Sequence, residues 1–121
     1  MAKKILAVDD ELDILKIVAF RFKKAGYEVI EAVDGQKAMD LIKAQNPDLV
    51  ILDLRLPILD GWEVCRRIKG SDEFKSTPVI LLSASAGTLN LETMKELKAD
   101  DYLLKPFEPE VLLEKVKRFI G

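Results

Sequence analysis

The chain has no histidine and a single cysteine, Cys65. Those absences exclude an internal disulfide, imidazole-rich or thiolate-rich metal sites, and any catalytic centre that needs histidine as its base; a metal, if bound, has to be held by oxygen. Glycine and proline are sparse, at six and five residues, while apolar residues reach 49% and charged residues 33%. That balance excludes a disordered or collagen-like chain. Long apolar runs are missing as well. The stretch that begins at Val79 turns polar at Ser83, and Met1-Ala2-Lys3-Lys4 leads straight into a strand-like run without a secretory apolar segment, so a soluble, cytoplasmic chain with no membrane insertion is expected. Neither charge dominates: 19 basic side chains stand against 21 acidic ones, a formal net charge of -2. The basic runs at Lys23-Lys24, Arg66-Arg67 and Lys115 to Arg118 are interrupted by acids and apolar positions and read as solvated helix faces, so no direct nucleic-acid contact is expected.

What the chain does contain is a regular alternation of period. A length of 121 residues suits one core and a single domain over 1–121. Lys4 to Val8 is an aliphatic run of the kind buried on both sheet faces, closed by Asp9-Asp10. From Glu11 onward Leu12, Leu15, Val18, Ala19 and Phe22 recur at helical spacing, with Asp10 as candidate cap and Gly26 just past the end. Tyr27 to Ala32 alternates like an edge strand. Asp34-Gly35 marks a turn, Ala38, Leu41 and Ile42 suggest a second helix, and Asn46-Pro47 stops it. Leu49 to Asp53 is a third strand, followed by a loop over 54–61, a third helix with Val64, Cys65 and Ile68 inward, and a polar connection from Gly70 to Thr77. Pro78 to Leu82 is a fourth strand, and Leu89, Met94 and Leu97 suggest a fourth helix. Asp101 to Leu104 is a short fifth strand, and Val111, Leu112, Val116, Phe119 and Ile120 line a last helix begun by Pro109 and Glu110. Strands and helices in strict alternation predict an α/β, doubly wound parallel sheet with right-handed crossovers.

In such a sheet, ligands gather beyond the carboxyl ends of the strands. Each apolar strand delivers polar groups there: Asp9 and Asp10 after the first, Asp53 after the third, Ser83 after the fourth, Lys105 after the fifth. One polar residue at a strand end means little, and Asp9-Asp10 alone could be a helix cap. Three carboxylates packed together, however, cost stability unless a cation joins them. Oxygen ligands of this kind suit a hard divalent ion, Mg²⁺ most naturally and Mn²⁺ as a substitute. A carboxylate beside such an ion can attack phosphorus and form an acyl phosphate. Asp53, the sole carboxylate at its strand end, is the better nucleophile candidate; the Asp9-Asp10 pair is better placed to hold the ion, and Ser83 and Lys105 to meet phosphoryl oxygens.

Taken together these pieces resemble the receiver domain of bacterial two-component response regulators. The resemblance runs from Lys3 to Phe119 and is carried by Asp9-Asp10, by Asp53 in ILDLRLPILDG, by Ser83 in ILLSA and by Lys105-Pro106 in ADDYLLKPF, with separations of 30 residues from Asp53 to Ser83 and 22 from Ser83 to Lys105. It implies a flavodoxin-like five-stranded sheet of order 2-1-3-4-5 with five helices. It further implies a stand-alone, chemotaxis-regulator-like switch whose only chemistry is its own phosphorylation and dephosphorylation. The phosphoryl group would come to Asp53 from a sensor histidine kinase or a histidine phosphotransfer protein. Mg²⁺ would be ligated by Asp10, Asp53 and the backbone carbonyl of Arg55, with Asp9 acting largely through water. Ser83, Lys105 and the backbone amide of Ala84 would bind the phosphoryl oxygens, while Arg55 and Ser85 would modulate hydrolysis. Ser83 and Tyr102 would switch the face formed by the fourth helix, fifth strand and fifth helix toward a downstream protein partner. Leu56 and Leu59 replace frequent methionines, and Lys98 replaces a frequent glycine, which questions whether the turn there is left-handed. Two other functions use similar residues: a small Mg²⁺-dependent phosphatase with an aspartyl nucleophile, for which the chain has little spare length, and a phosphorylation-independent scaffold.

Overall fold

The computed structural model describes residues 2–85, 87 and 90–121. Met1, and Leu89 of the expected fourth helix, lie outside the described residues. Five strands, β1 (Lys4–Val8), β2 (Glu28–Ala32), β3 (Leu49–Asp53), β4 (Val79–Ser83) and β5 (Asp101–Leu104), alternate with α1 (Leu12–Lys24), α2 (Gly35–Gln45), α3 (Gly61–Lys69), α4 (Leu91–Leu97) and α5 (Pro109–Ile120). The strands form one parallel sheet in the order β2-β1-β3-β4-β5. This is the flavodoxin-like topology, and β2 is indeed an edge strand.

Alternation along each strand divides the core in two. Leu6, Val8, Val50, Leu52, Val79 and Leu81 face α2, α3 and α4, where Ala38, Ile42, Val64, Cys65, Ile68 and Leu97 meet them. Ile5, Ala7, Leu49, Ile51, Ile80 and Leu82 face α1 and α5, against Leu15, Val18, Phe22, Leu112 and Val116. Both faces being covered, β3 and β4 are buried along their whole length, which is why they read as unbroken aliphatic runs rather than alternating ones.

Helix ends follow side-chain chemistry. Asp34, Asp60 and Asn90 accept the backbone N–H of Lys37, Glu63 and Thr93 at 2.7, 2.9 and 2.9 Å, capping α2, α3 and α4. Asp10 does not cap α1. The N-cap position is Glu11, whose side chain caps nothing, and Asp9 Oδ1 instead accepts the Glu11 N–H at 2.9 Å. Leu12, Val111 and Phe119, expected inward from their spacing, are exposed; each lies at the margin of an apolar stripe that is wider than the strip the sheet covers. Phe74 corrects the polar connection after α3, since it is buried and joins the α3 side of the core. Lys98 answers the question its sequence raised: it ends α4 at φ 57°, left-handed without being glycine.

Candidate functional site

Three strand ends and the segment after β5 bring the site together. Asp9 follows β1, Asp53 is the last residue of β3 and Ser83 the last of β4. The pairing of β3 with β4 sets Asp53 beside Leu82, one residue before Ser83. Carboxylate oxygens of Asp9, Asp10 and Asp53 all lie within 4.8 Å of one another. Asp9 and Asp53 are 1% and 4% exposed, whereas Asp10 is open to solvent.

Lys105 ties the cluster. Its Nζ lies 2.8 Å from Asp9 Oδ2, 3.0 Å from Asp53 Oδ2 and 3.6 Å from Glu11 Oε1. Burial alone would push the Lys105 ammonium down in pKa, but the hydrogen bonds and charges of Asp9 and Asp53 outweigh it and hold the value above that of an ordinary lysine. Asp9 moves the other way from a typical paired carboxylate. Burial raises it, with the charge of Asp53 adding to the effect, and the contacts to Lys105 and to the Glu11 amide only partly compensate. The buried Asp9 Oδ2 faces the Lys105 ammonium at 2.8 Å. A buried carboxylate oxygen so placed is an acceptor with capacity left for a cation. The donor set is all oxygen and carries three carboxylates, so the residues present fit a hard divalent ion.

A cleft of about 220 Å³ opens over the cluster, lined by Asp10, Glu11, Asp53, Arg55, Ala84 and Lys105. The Arg55 N–H donates to Asp53 Oδ1 at 3.2 Å, holding that carboxylate from its own loop. The buried Ser83 hydroxyl accepts the Ser85 N–H at 3.1 Å and lies 3.3 Å from the Ser85 carbonyl. Gly61, first residue of α3, packs so closely under the site that a Cβ would collide with the Asp53 carbonyl oxygen and the Leu54 Cα. Tyr102, of the expected set, stands away from the cleft. It sits on β5 opposite Leu81, half-exposed, in a separate groove with Leu104, Phe107, Val111 and Lys115. Glu11 is the site residue that the sequence reading passed over; its signal was the third acid of the run Asp9-Asp10-Glu11, taken only as the start of a helix.

Comparison with known proteins agrees with this geometry. The family described as response regulator receiver domain matches residues 5–117. The chain is 32% identical to the chemotaxis response regulator CheY4 of Vibrio cholerae, with a TM-score of 0.91 over 99% of this chain and 100% of that one. The receiver domain of a Pseudomonas aeruginosa sensor histidine kinase, solved with a magnesium ion coordinated in its active-site cleft, is 30% identical, with a TM-score of 0.89 over 100% and 99% of the two chains. A CheY-like receiver domain protein from Methanospirillum hungatei gives 29% identity and a TM-score of 0.87 over 98% and 93%.

Proposed function

Since the chain belongs to the response regulator receiver domain family, we propose that Asp53 is the residue on which it receives a phosphoryl group. The cluster of Asp9, Asp10 and Asp53 is a receiver-domain phosphoacceptor site, of the kind phosphorylated with Mg²⁺ in two-component switches. The observation that carries the assignment to Asp53 is its placement: a buried carboxylate at the end of the central strand, held on one oxygen by the Arg55 N–H and on the other by Lys105.

Asp9, Asp10, Asp53 and the Arg55 carbonyl would hold the divalent ion, which when bound neutralises charge that gathers on the transferred oxygens. Asp53 supplies the attacking oxygen: a bond forms from its carboxylate to phosphorus as the bond from phosphorus to the donor's leaving atom breaks, and the electron pair departs with that leaving group. Lys105, already charged beside Asp53, pairs with a phosphoryl oxygen, and the Ser83 hydroxyl and Ala84 N–H approach the others. To do so Ser83 gives up part of its hold on the Ser85 backbone. Volume released near the end of β4 then becomes available to Tyr102, coupling the site to the face of α4, β5 and α5 and to a downstream protein partner there. Arg55 and Ser85 border the path by which water reaches the acyl phosphate. A sensor histidine kinase or a histidine phosphotransfer protein supplies the phosphoryl group in the cytoplasm, and residues 1–121 act as one receiver domain.

Intact-mass measurement at neutral pH tests the assignment. With a small phosphoryl donor and Mg²⁺ the protein should gain one phosphoryl group, labile to hydroxylamine as an acyl phosphate is, and Asp53→Asn should gain none. Equal labelling of the variant would refute it.

A further inference from the structure

The cleft holds one acid that the reading above leaves unused. Glu11 is anchored by its backbone: its N–H donates to Asp9 Oδ1 at 2.9 Å, and its carbonyl accepts from the N–H of Ile14 and Leu15 at 3.1 and 3.2 Å. Its side chain caps no helix N–H, although it stands at the N-cap of α1. Instead the exposed carboxylate lines the cleft and comes within 3.6 Å of Lys105 Nζ, while Asp9 and Asp53 hold the same ammonium at 2.8 and 3.0 Å from the buried side.

Charge at the site makes this placement consequential. Four carboxylates, of Asp9, Asp10, Glu11 and Asp53, gather round the Lys105 ammonium in a cleft that Arg55 also lines. Removing the Glu11 carboxylate would leave the site, with or without a divalent ion, one charge more positive. With and without that carboxylate, the site treats an incoming anion differently.

Resting on the phosphoacceptor reading, we propose that Glu11 sets the site's selectivity among phosphoryl donors by charge. Its carboxylate at the mouth of the cleft disfavours small donors that carry two negative charges relative to those that carry one, insulating Asp53 from free acyl phosphates. Because the carboxylate is solvated, the effect is modest: at ordinary separations across the cleft it amounts to roughly three- to fivefold in rate, and it is screened by salt.

The test compares acetyl phosphate, a dianion at neutral pH, with phosphoramidate, a monoanion. Values of kcat/KM for each are measured on wild type, Glu11→Gln and Glu11→Asp at low and high ionic strength. Glu11→Gln should raise the acetyl phosphate to phosphoramidate ratio by roughly three- to fivefold at low salt, and less at high salt. Glu11→Asp, which keeps the charge, should retain the wild-type ratio. Calorimetric titration with Mg²⁺ alone should show weaker binding in Glu11→Gln by a similar factor. An unchanged ratio and unchanged Mg²⁺ affinity, a ratio insensitive to salt, or an equal shift in Glu11→Asp would overturn the proposal while leaving Asp53 labelling intact. Labelling of Asp53→Asn as strong as wild type, or none of wild type by either donor, would instead defeat the phosphoacceptor reading, and this proposal with it.

Discussion

At the scale of single residues, Asp9 and Lys105 pull stability in opposite directions. Burial raises the pKa of Asp9, so the folded chain binds that proton more tightly than the unfolded one. The stability this gives is fully present below the ordinary carboxylate range and is lost as pH rises through the raised value, leaving an ionised, partly compensated carboxylate at neutral pH. Asp9→Asn should therefore stabilise the metal-free protein at neutral pH, flatten its acid-side stability profile and weaken Mg²⁺ binding. Urea melts from pH 3 to pH 7 and a Mg²⁺ titration decide it; a less stable variant at pH 7 would contradict the account. Lys105→Met removes the shared cation and leaves two buried carboxylates facing each other. Breaking a buried pair from one side costs about 3–5 kcal/mol, and added Mg²⁺ should recover part of the loss. Equal destabilisation with and without Mg²⁺ would show that the ion does not compensate for the ammonium.

The elements differ in how tightly they are bound to the site, and α3 is bound most directly. Its first residue lies against the backbone of Asp53 and Leu54 with no room for a Cβ. Gly61→Ala should cost on the order of 1–3 kcal/mol through overpacking, and it should slow phosphorylation because the shift falls on the acceptor's own peptide. A melt matched by unchanged labelling kinetics would mean that the strand end does not move. One turn further along the same buried face, the helix carries Cys65, 3.5 Å from the Leu97 carbonyl. Burial pushes its thiol from 9.0 up to about 11. Folded protein then holds this proton through a pH window in which the unfolded chain has lost it, so the contribution to stability is present below pH 9.0 and disappears between there and about pH 11. Thiol reagents at pH 8 should label Cys65 only as fast as the protein opens, and Cys65→Ala should lose less stability than wild type as pH rises across that window. Fast labelling of the native state would contradict the burial.

Over the whole molecule, two positions must communicate for a switch to exist: the cleft at the end of β3 and the groove beside Tyr102 on β5. Such coupling requires two states that phosphorylation stabilises unequally. Aromatic and amide NMR spectra with Mg²⁺ and a phosphoryl mimic should move Tyr102 and α5 in wild type, move them less in Ser83→Ala, and move α5 less in Tyr102→Ala although Asp53 still responds. Shifts confined to the surroundings of Asp53 would defeat the switch. Sequence alone determined the alternation of strands and helices, because buried strands and amphipathic helices impose periods of different length, and it determined Asp9, Asp10, Asp53, Ser83 and Lys105 as strand-end residues, because an apolar run closed by a polar group has a visible edge. Periodicity does not measure how wide a stripe the sheet covers, so the exposure of Leu12, Val111 and Phe119 and the burial of Phe74 were decided by packing. Neither the left-handed turn at Lys98 nor the reach of Glu11 toward Lys105 has a letter of its own. The first is settled where α4 ends, by backbone bonds within one turn; the second, a lysine shared by acids from three positions of the chain, is a distance that only the tertiary structure supplies.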